Sequence, residues 1–199
     1  MAQKRLAFMA SGSGSNFENI VREIQAGRLD ADAAILICDK PGAGVLARAE
    51  KLKVPAALVD RKAHLSKEAF EAEIVRRLEE SRCDFIVLAG YMRILSSEFV
   101  FRYWGRIINI HPSLLPAFPG AHGIRDAFEA GVKETGVTVH FVDTGVDTGP
   151  VILQRKVPVE PGDTLESLET RVHAMEYTLY PEALSLVLAG KAAAPGRQN

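Results

Sequence analysis

The sequence predicts an α/β protein built on a doubly wound, mostly parallel sheet with antiparallel additions in its carboxyl-terminal half. Three observations predict it. Five nearly continuous apolar runs of strand length recur up to residue 111, as strands covered on both faces do. Amphipathic stretches with helical spacing lie between the earlier ones, which makes the order βαβαβ and the pairing parallel. Beyond residue 111, two strand-like runs follow each other across a turn-rich loop, as antiparallel neighbours do.

The elements follow in order. RLAFMA (5–10) opens as a strand and leads through a glycine-rich turn into NFENIVREIQAG, a helix expected to start near a capping Asn16 and to end at Gly27. AAILIC (33–38), AALVD (56–60), DFIVLAG (84–90) and RIINIH (106–111) are the next strands, with helices expected in GVLARAEKL and KEAFEAEIVRRLEESR. A proline-rich loop and a short helix around IRDAFEAG precede the strands GVTVHFV and PVILQRKVPV. The stretch from Thr164 to Gly190 has helical apolar spacing, which Pro181 is expected to kink or interrupt, and the tail KAAAPGRQN is expected to fray. No repeat, low-complexity tract or linker divides the chain, so residues 1–199 are expected to form one domain.

Composition narrows the function. The chain has 199 residues, 47% of them hydrophobic and 25% charged, enough for a buried core. Its formal net charge of -1 offers no broad footprint for nucleic acid or an anionic membrane, so small molecules are the expected partners. The amino-terminal apolar stretch is too short for a membrane span and too soon interrupted for a secretory segment. Cys38 and Cys83 lie inside apolar runs and read as core residues, which suits the cytoplasm.

Three stretches carry candidate chemistry. In SGSGSN, residues 11–16, glycines between a strand and a helix let backbone amides approach an anion, so a phosphate site is expected from Gly12, Ser13, Gly14, Ser15 and Asn16. The dinucleotide fingerprint fails at Phe17 and no Gly-Lys-Ser/Thr follows, leaving a tight serine-capped turn as the alternative. Asp39, ending the second strand, reads as a turn residue. In INIHPSLLPAFPG, alternation puts Asn109 and His111 on one face at a strand exit, where Pro112, Pro116 and Pro119 stop further pairing. An amide donor beside an imidazole suits a carbonyl oxygen that gains negative charge, although both could instead serve loop and strand end. In VDTGVDTGP, either Asp143 or Asp147 could reach His111, raise its pKa and orient it, and spacing does not choose between them. Taken singly, His140 on a strand and His122 after a loop read as structural, and His64 and His173 receive no role. The histidines are scattered and the cysteines have no close partners, so no metal site is expected, and no Gly-x-Ser-x-Gly elbow offers a serine nucleophile. Metal-free carbonyl chemistry on a phosphorylated substrate remains.

These stretches, together with LAGYMRIL (88–95), PGAHG (119–123), VHFVDTGVDTGPVILQ (139–154) and MEYTLYP (175–181), resemble the phosphoribosylglycinamide formyltransferase family of the wider formyltransferase superfamily, in order over nearly the whole chain. The resemblance implies a Rossmann-like fold with a phosphate-binding amino-terminal half and a folate-binding, catalytic carboxyl-terminal half. It implies a catalytic trio of Asn109, His111 and Asp147, selecting Asp147 over Asp143. It also implies that Gly12 to Asn16 hold the ribose phosphate of phosphoribosylglycinamide, with Glu176 near its amine. Met92, Arg93, Ile94 and Leu95, with Val142 and Asn109, would receive 10-formyltetrahydrofolate as formyl donor in purine synthesis, with His140 and His122 in support. Lys67 stands where the family pattern has an arginine reaching toward the folate, and Ala121 and Gly123 depart from the pattern in their loop. A monomer or homodimer is expected. The resemblance attaches an extra amino-terminal domain to the related hydrolase and an extra carboxyl-terminal domain to methionyl-tRNA formyltransferase, so neither activity is expected here. A non-catalytic phosphate-binding module is the rival of another class.

Overall fold

The computed structural model describes residues 3–192 and 196. Two compact units divide the chain, one ending at Ile107 and one beginning at Ile108. The first contains β1 (Lys4–Ala10), α1 (Ser15–Gln25), β2 (Ala31–Cys38), α2 (Gly44–Leu52), β3 (Ala56–Leu58), a 3-10 turn (Arg61–Ala63), α3 (Lys67–Ser81), β4 (Phe85–Leu88) and α4 (Ser97–Arg102). The chain continues through β5 (Ile107–His111), α5 (Gly123–Glu129), β6 (Glu134–Phe141), β7 (Val151–Pro158) and α6 (Leu165–Leu188). The strand order is β3-β2-β1-β4-β5-β6-β7. β1 pairs in parallel with β2 and β4, and β2 with β3, whereas β6 runs antiparallel to both β5 and β7. This is the doubly wound, mostly parallel sheet with antiparallel additions that the apolar runs predict.

Burial explains the near-continuous apolar runs. The last five residues of β1 are buried irrespective of side, as a strand covered on both faces requires. The helix that follows does not start on a capping Asn16. Gly14 occupies the cap with φ 77° and no side-chain cap, and Asn16 is already the second helical residue. A Cβ at Gly14 would come within 2.3 Å of Val45 Cγ2, so the left-handed backbone and the close approach of α2 both demand glycine there.

α4 is short, capped by the Ser96 side chain, and falls in a stretch for which apolar spacing predicts nothing. In α6, Thr164 and Ser167 form a reciprocal capping box, and the helix runs through Pro181 without the expected interruption. An interior proline costs about 3 kcal/mol, but Leu168, Val172, Leu179, Tyr180, Ala183 and Leu184 are fully buried along this helix. Tyr180 also donates its hydroxyl to the Ile108 carbonyl at 3.0 Å. That packing outweighs the local penalty. Cys38 and Cys83 are free and buried, and burial raises both thiol pKa values. Among the described residues no helix is long and apolar enough to cross a membrane, and no group of side chains could hold a metal ion. The tail expected to fray lies largely outside the described residues, which omit 193–195 and 197–199.

Candidate active site

In the carboxyl-terminal unit, the β5–β6 register sets Asn109 directly opposite His140 and His111 opposite Thr138. Alternation then places Asn109, His111, His140 and Thr138 on one face. Between Val139 and His140 the register of β6 against β7 shifts, leaving Ile152 of β7 without a partner residue. The loop after β6 carries Asp147, a non-glycine residue in left-handed backbone at φ 54°. Its carboxylate lies 3.4 Å from His111 Nδ1 and 3.8 Å from His140 Nε2, and it accepts the Gly120 amide at 2.8 Å. Asp143 instead accepts from Gly145 N and Thr148 Oγ1 at 3.1 and 2.7 Å, a turn's own bonds. The structure thus brings Asp147, not Asp143, to the histidine.

The hydrogen bonds assign the protons. His140 Nδ1 faces the carbonyl of Phe141 at 2.8 Å, which can only accept, so the proton sits on Nδ1. Nε2 is then an acceptor, and Asn109 Nδ2 donates to it at 3.2 Å. The amide is thereby oriented with one further N–H free to donate elsewhere. Burial lowers the His140 pKa and keeps the ring neutral for this task. His111 Nε2 donates to the Phe118 carbonyl at 2.8 Å, which leaves Nδ1 toward Asp147. A Cβ at Gly123 would stand 3.0 Å from His111 Nε2, so glycine at this departure from the family pattern admits the start of α5 beside the ring.

Thr138 is fully buried beneath the proline-rich loop, and pattern reasoning does not single it out. Its hydroxyl donates to Ser113 O at 2.7 Å and accepts from Leu115 N at 3.2 Å and Gln154 Nε2 at 2.8 Å. Gln154 also holds Leu115 O at 3.0 Å, just before the cis Leu115–Pro116 bond. His122 is exposed at the cap of α5, and Val142 is half-buried just after β6. Glu176 is buried on α6 and bonded to His173 Nδ1 at 3.0 Å, which raises the His173 pKa.

In the amino-terminal unit, Gly12 and Ser13 are exposed at the start of α1, whose amino-terminal end carries the positive pole of the helix dipole. Arg48 Nε holds the Ser13 carbonyl at 2.8 Å and Val45 N holds Gly12 O at 3.1 Å. Met92 and Ile94 are 73% and 71% exposed. Arg93 donates to Asp39, which is buried and ion-paired rather than a turn residue. Lys67 Nζ lies 3.9 Å from Glu71, a buried acceptor for Ser96 N at 2.9 Å. A cavity of about 420 Å³ in this unit is lined by Arg82, Arg102, Tyr103 and Arg106 among others, and none of the expected site residues borders it.

The amide and imidazole of β5 thus meet a carboxylate carried by the loop after β6, and comparisons with known proteins place the chain in a family. Residues 4–184 match the formyl transferase family. The chain is 47% identical over 185 residues to phosphoribosylglycinamide formyltransferase of Bacillus subtilis, covering 93% of this chain and 95% of that protein. Over 192 residues it is 44% identical to the trifunctional purine biosynthetic protein adenosine-3 of Drosophila melanogaster, 96% of this chain but 14% of that longer protein. The crystal structure of glycinamide ribonucleotide transformylase 1 from Geobacillus kaustophilus superposes with a TM-score of 0.92 at 53% identity, over 94% of this chain and 100% of that one. The chain belongs to the formyl transferase family.

Proposed function

We propose that the protein transfers the formyl group of 10-formyltetrahydrofolate to the amine of 5'-phosphoribosylglycinamide, a step of de novo purine synthesis. The relatives' names and coverage support the reaction. The observation that carries the mechanism is the donor set at the end of β5: an Asn109 amide oriented by His140, next to His111 backed by Asp147. The amine attacks the formyl carbon, and the carbonyl oxygen becomes an oxyanion that accepts from the second Asn109 N–H and is stabilised by the charge of protonated His111 beside it. Asp147 supports the imidazolium and, directly or through water, helps move the amine proton to the folate nitrogen as its bond to the formyl carbon breaks. No step calls on a metal.

Gly12 to Asn16 hold the substrate phosphate, with Glu176 toward its amine. Met92 to Leu95, Lys67 and Val142 receive the folate, and His122 supports the catalytic loop. The enzyme works on small molecules in the cytoplasm as a monomer or homodimer. The test follows absorbance as the folate loses its formyl group, with and without the nucleotide. Nucleotide-dependent signal is expected, and Asn109→Ala or His111→Ala should each lower turnover by about 10² to 10³. Near-normal turnover in either folded variant refutes the role of that residue.

A further inference from the structure

Residues 90–95 form a loop that exposes apolar side chains yet rests on buried polar groups. Met92 and Ile94 are 73% and 71% exposed, and Arg93 between them, itself partly exposed, reaches the buried Asp39 with its guanidinium. Its guanidinium pairs with the Asp39 carboxylate and lies over the Phe70 ring, 5.6 Å from the centroid. Ser11 secures the preceding backbone, since its Oγ accepts from Met92 N at 2.9 Å and its N–H donates to Gly90 O at 3.0 Å.

Asp39 is 4% exposed, and its Oδ1 is buried with no hydrogen-bond partner in the protein. A buried carboxylate is costly unless a cation and hydrogen bonds offset it, and Arg93 supplies both through the other oxygen. The Asp39–Arg93 pair anchors the loop at its centre and leaves the two apolar neighbours facing solvent. A loop kept in that shape before binding spares a flat ligand the cost of ordering it.

We propose that Asp39 is the positioning residue that fixes residues 91–95 as a rigid apolar platform for the ring system of the one-carbon donor. The inference rests on reading this segment as the donor-binding wall. Asp39 acts through Arg93, whose guanidinium it pairs.

Steady-state kinetics of formyl transfer test it in wild type, Asp39→Ala, Asp39→Asn, Arg93→Ala and the double alanine variant. A misplacement of this kind should raise the donor KM by about 10- to 100-fold, with the nucleotide KM little changed. Asp39→Asn, which keeps an acceptor for Arg93, should recover most of the loss. The double variant should be no worse than the worse single one. An unchanged donor KM, an equal rise in both KM values, or an Asn variant no better than Ala overturns the proposal. Should Asp39→Ala not fold, Arg93→Ala breaks the same pair from its exposed side and must show the same split. A wild-type protein that transfers no formyl group would refute the assigned reaction instead. Hydrogen exchange at the Met92 amide, which Ser11 Oγ holds, reads the anchoring without turnover, faster in Arg93→Ala than in wild type if the proposal holds and equal if it fails.

Discussion

Replacing Thr138 by valine keeps a β-branched side chain on β6 and removes one oxygen from beneath the proline-rich loop. That oxygen makes three hydrogen bonds, to Ser113 O, Leu115 N and Gln154 Nε2, at 2.7, 3.2 and 2.8 Å. Gln154 retains Leu115 O, so the loss falls mainly on the Ser113 carbonyl and the Leu115 amide. At roughly 1–2 kcal/mol for each buried group deprived of its partner, the variant should be about 2–4 kcal/mol less stable. Urea unfolding should show a lower midpoint with an unchanged slope. The same loop presents the Phe118 carbonyl to His111, so turnover should fall as well. A stability loss under about 0.5 kcal/mol, the range of an ordinary surface substitution, would refute the reasoning. The loop would then be held by something other than Thr138.

Asp147→Asn keeps an acceptor for the Gly120 amide but removes the charge beside His111, so kcat should fall by about 10² or more with little change in Tm. An unchanged kcat would remove Asp147 from the proton path. Gly14→Ala adds a Cβ 2.3 Å from Val45 Cγ2 in left-handed backbone and should cost about 2–5 kcal/mol in chemical denaturation, with a raised nucleotide KM. Wild-type stability would show that α2 moves aside freely. Two histidines should pull stability in opposite directions with pH. The folded-state pKa of His140 lies below its ordinary value of 6.5, so its contribution is present above that value and is lost as pH falls through the folded pKa. The His173 pKa is raised, so its contribution is present below 6.5 and fades as pH rises through the folded value. Urea midpoints across this range should therefore fall less on acidification in His140→Asn than in wild type, and more in His173→Asn. Identical pH dependence in all three proteins would contradict both signs.

The elements that a local pattern can encode were legible. Strand alternation alone paired Asn109 with His111, and apolar runs located the strands through β5, because side-chain direction along a strand is a local property. Features set by distant partners were not. Spacing could not choose between Asp143 and Asp147, since the loop's path, not its composition, carries Asp147 to the histidines. Asp39 read as a turn residue because its partner Arg93 lies 54 positions away. Pro181 read as a break because the rows it buries belong to tertiary packing, which overrides helix propensity. Thr138 and Gln154 left no local mark, since each matters only through the hydroxyl and carbonyls they share.

The unbroken register of β5 against β6 makes strand alignment a component of the chemistry. Asn109 and His140 meet because each is counted from its own strand, so a single residue inserted into β5 or β6 would send one of them to the opposite face without altering any side chain. Anyone recombining pieces of such enzymes should take β5, β6 and the loops carrying Phe118 and Asp147 from one parent, since the amide, imidazole and carboxylate are aligned as one block.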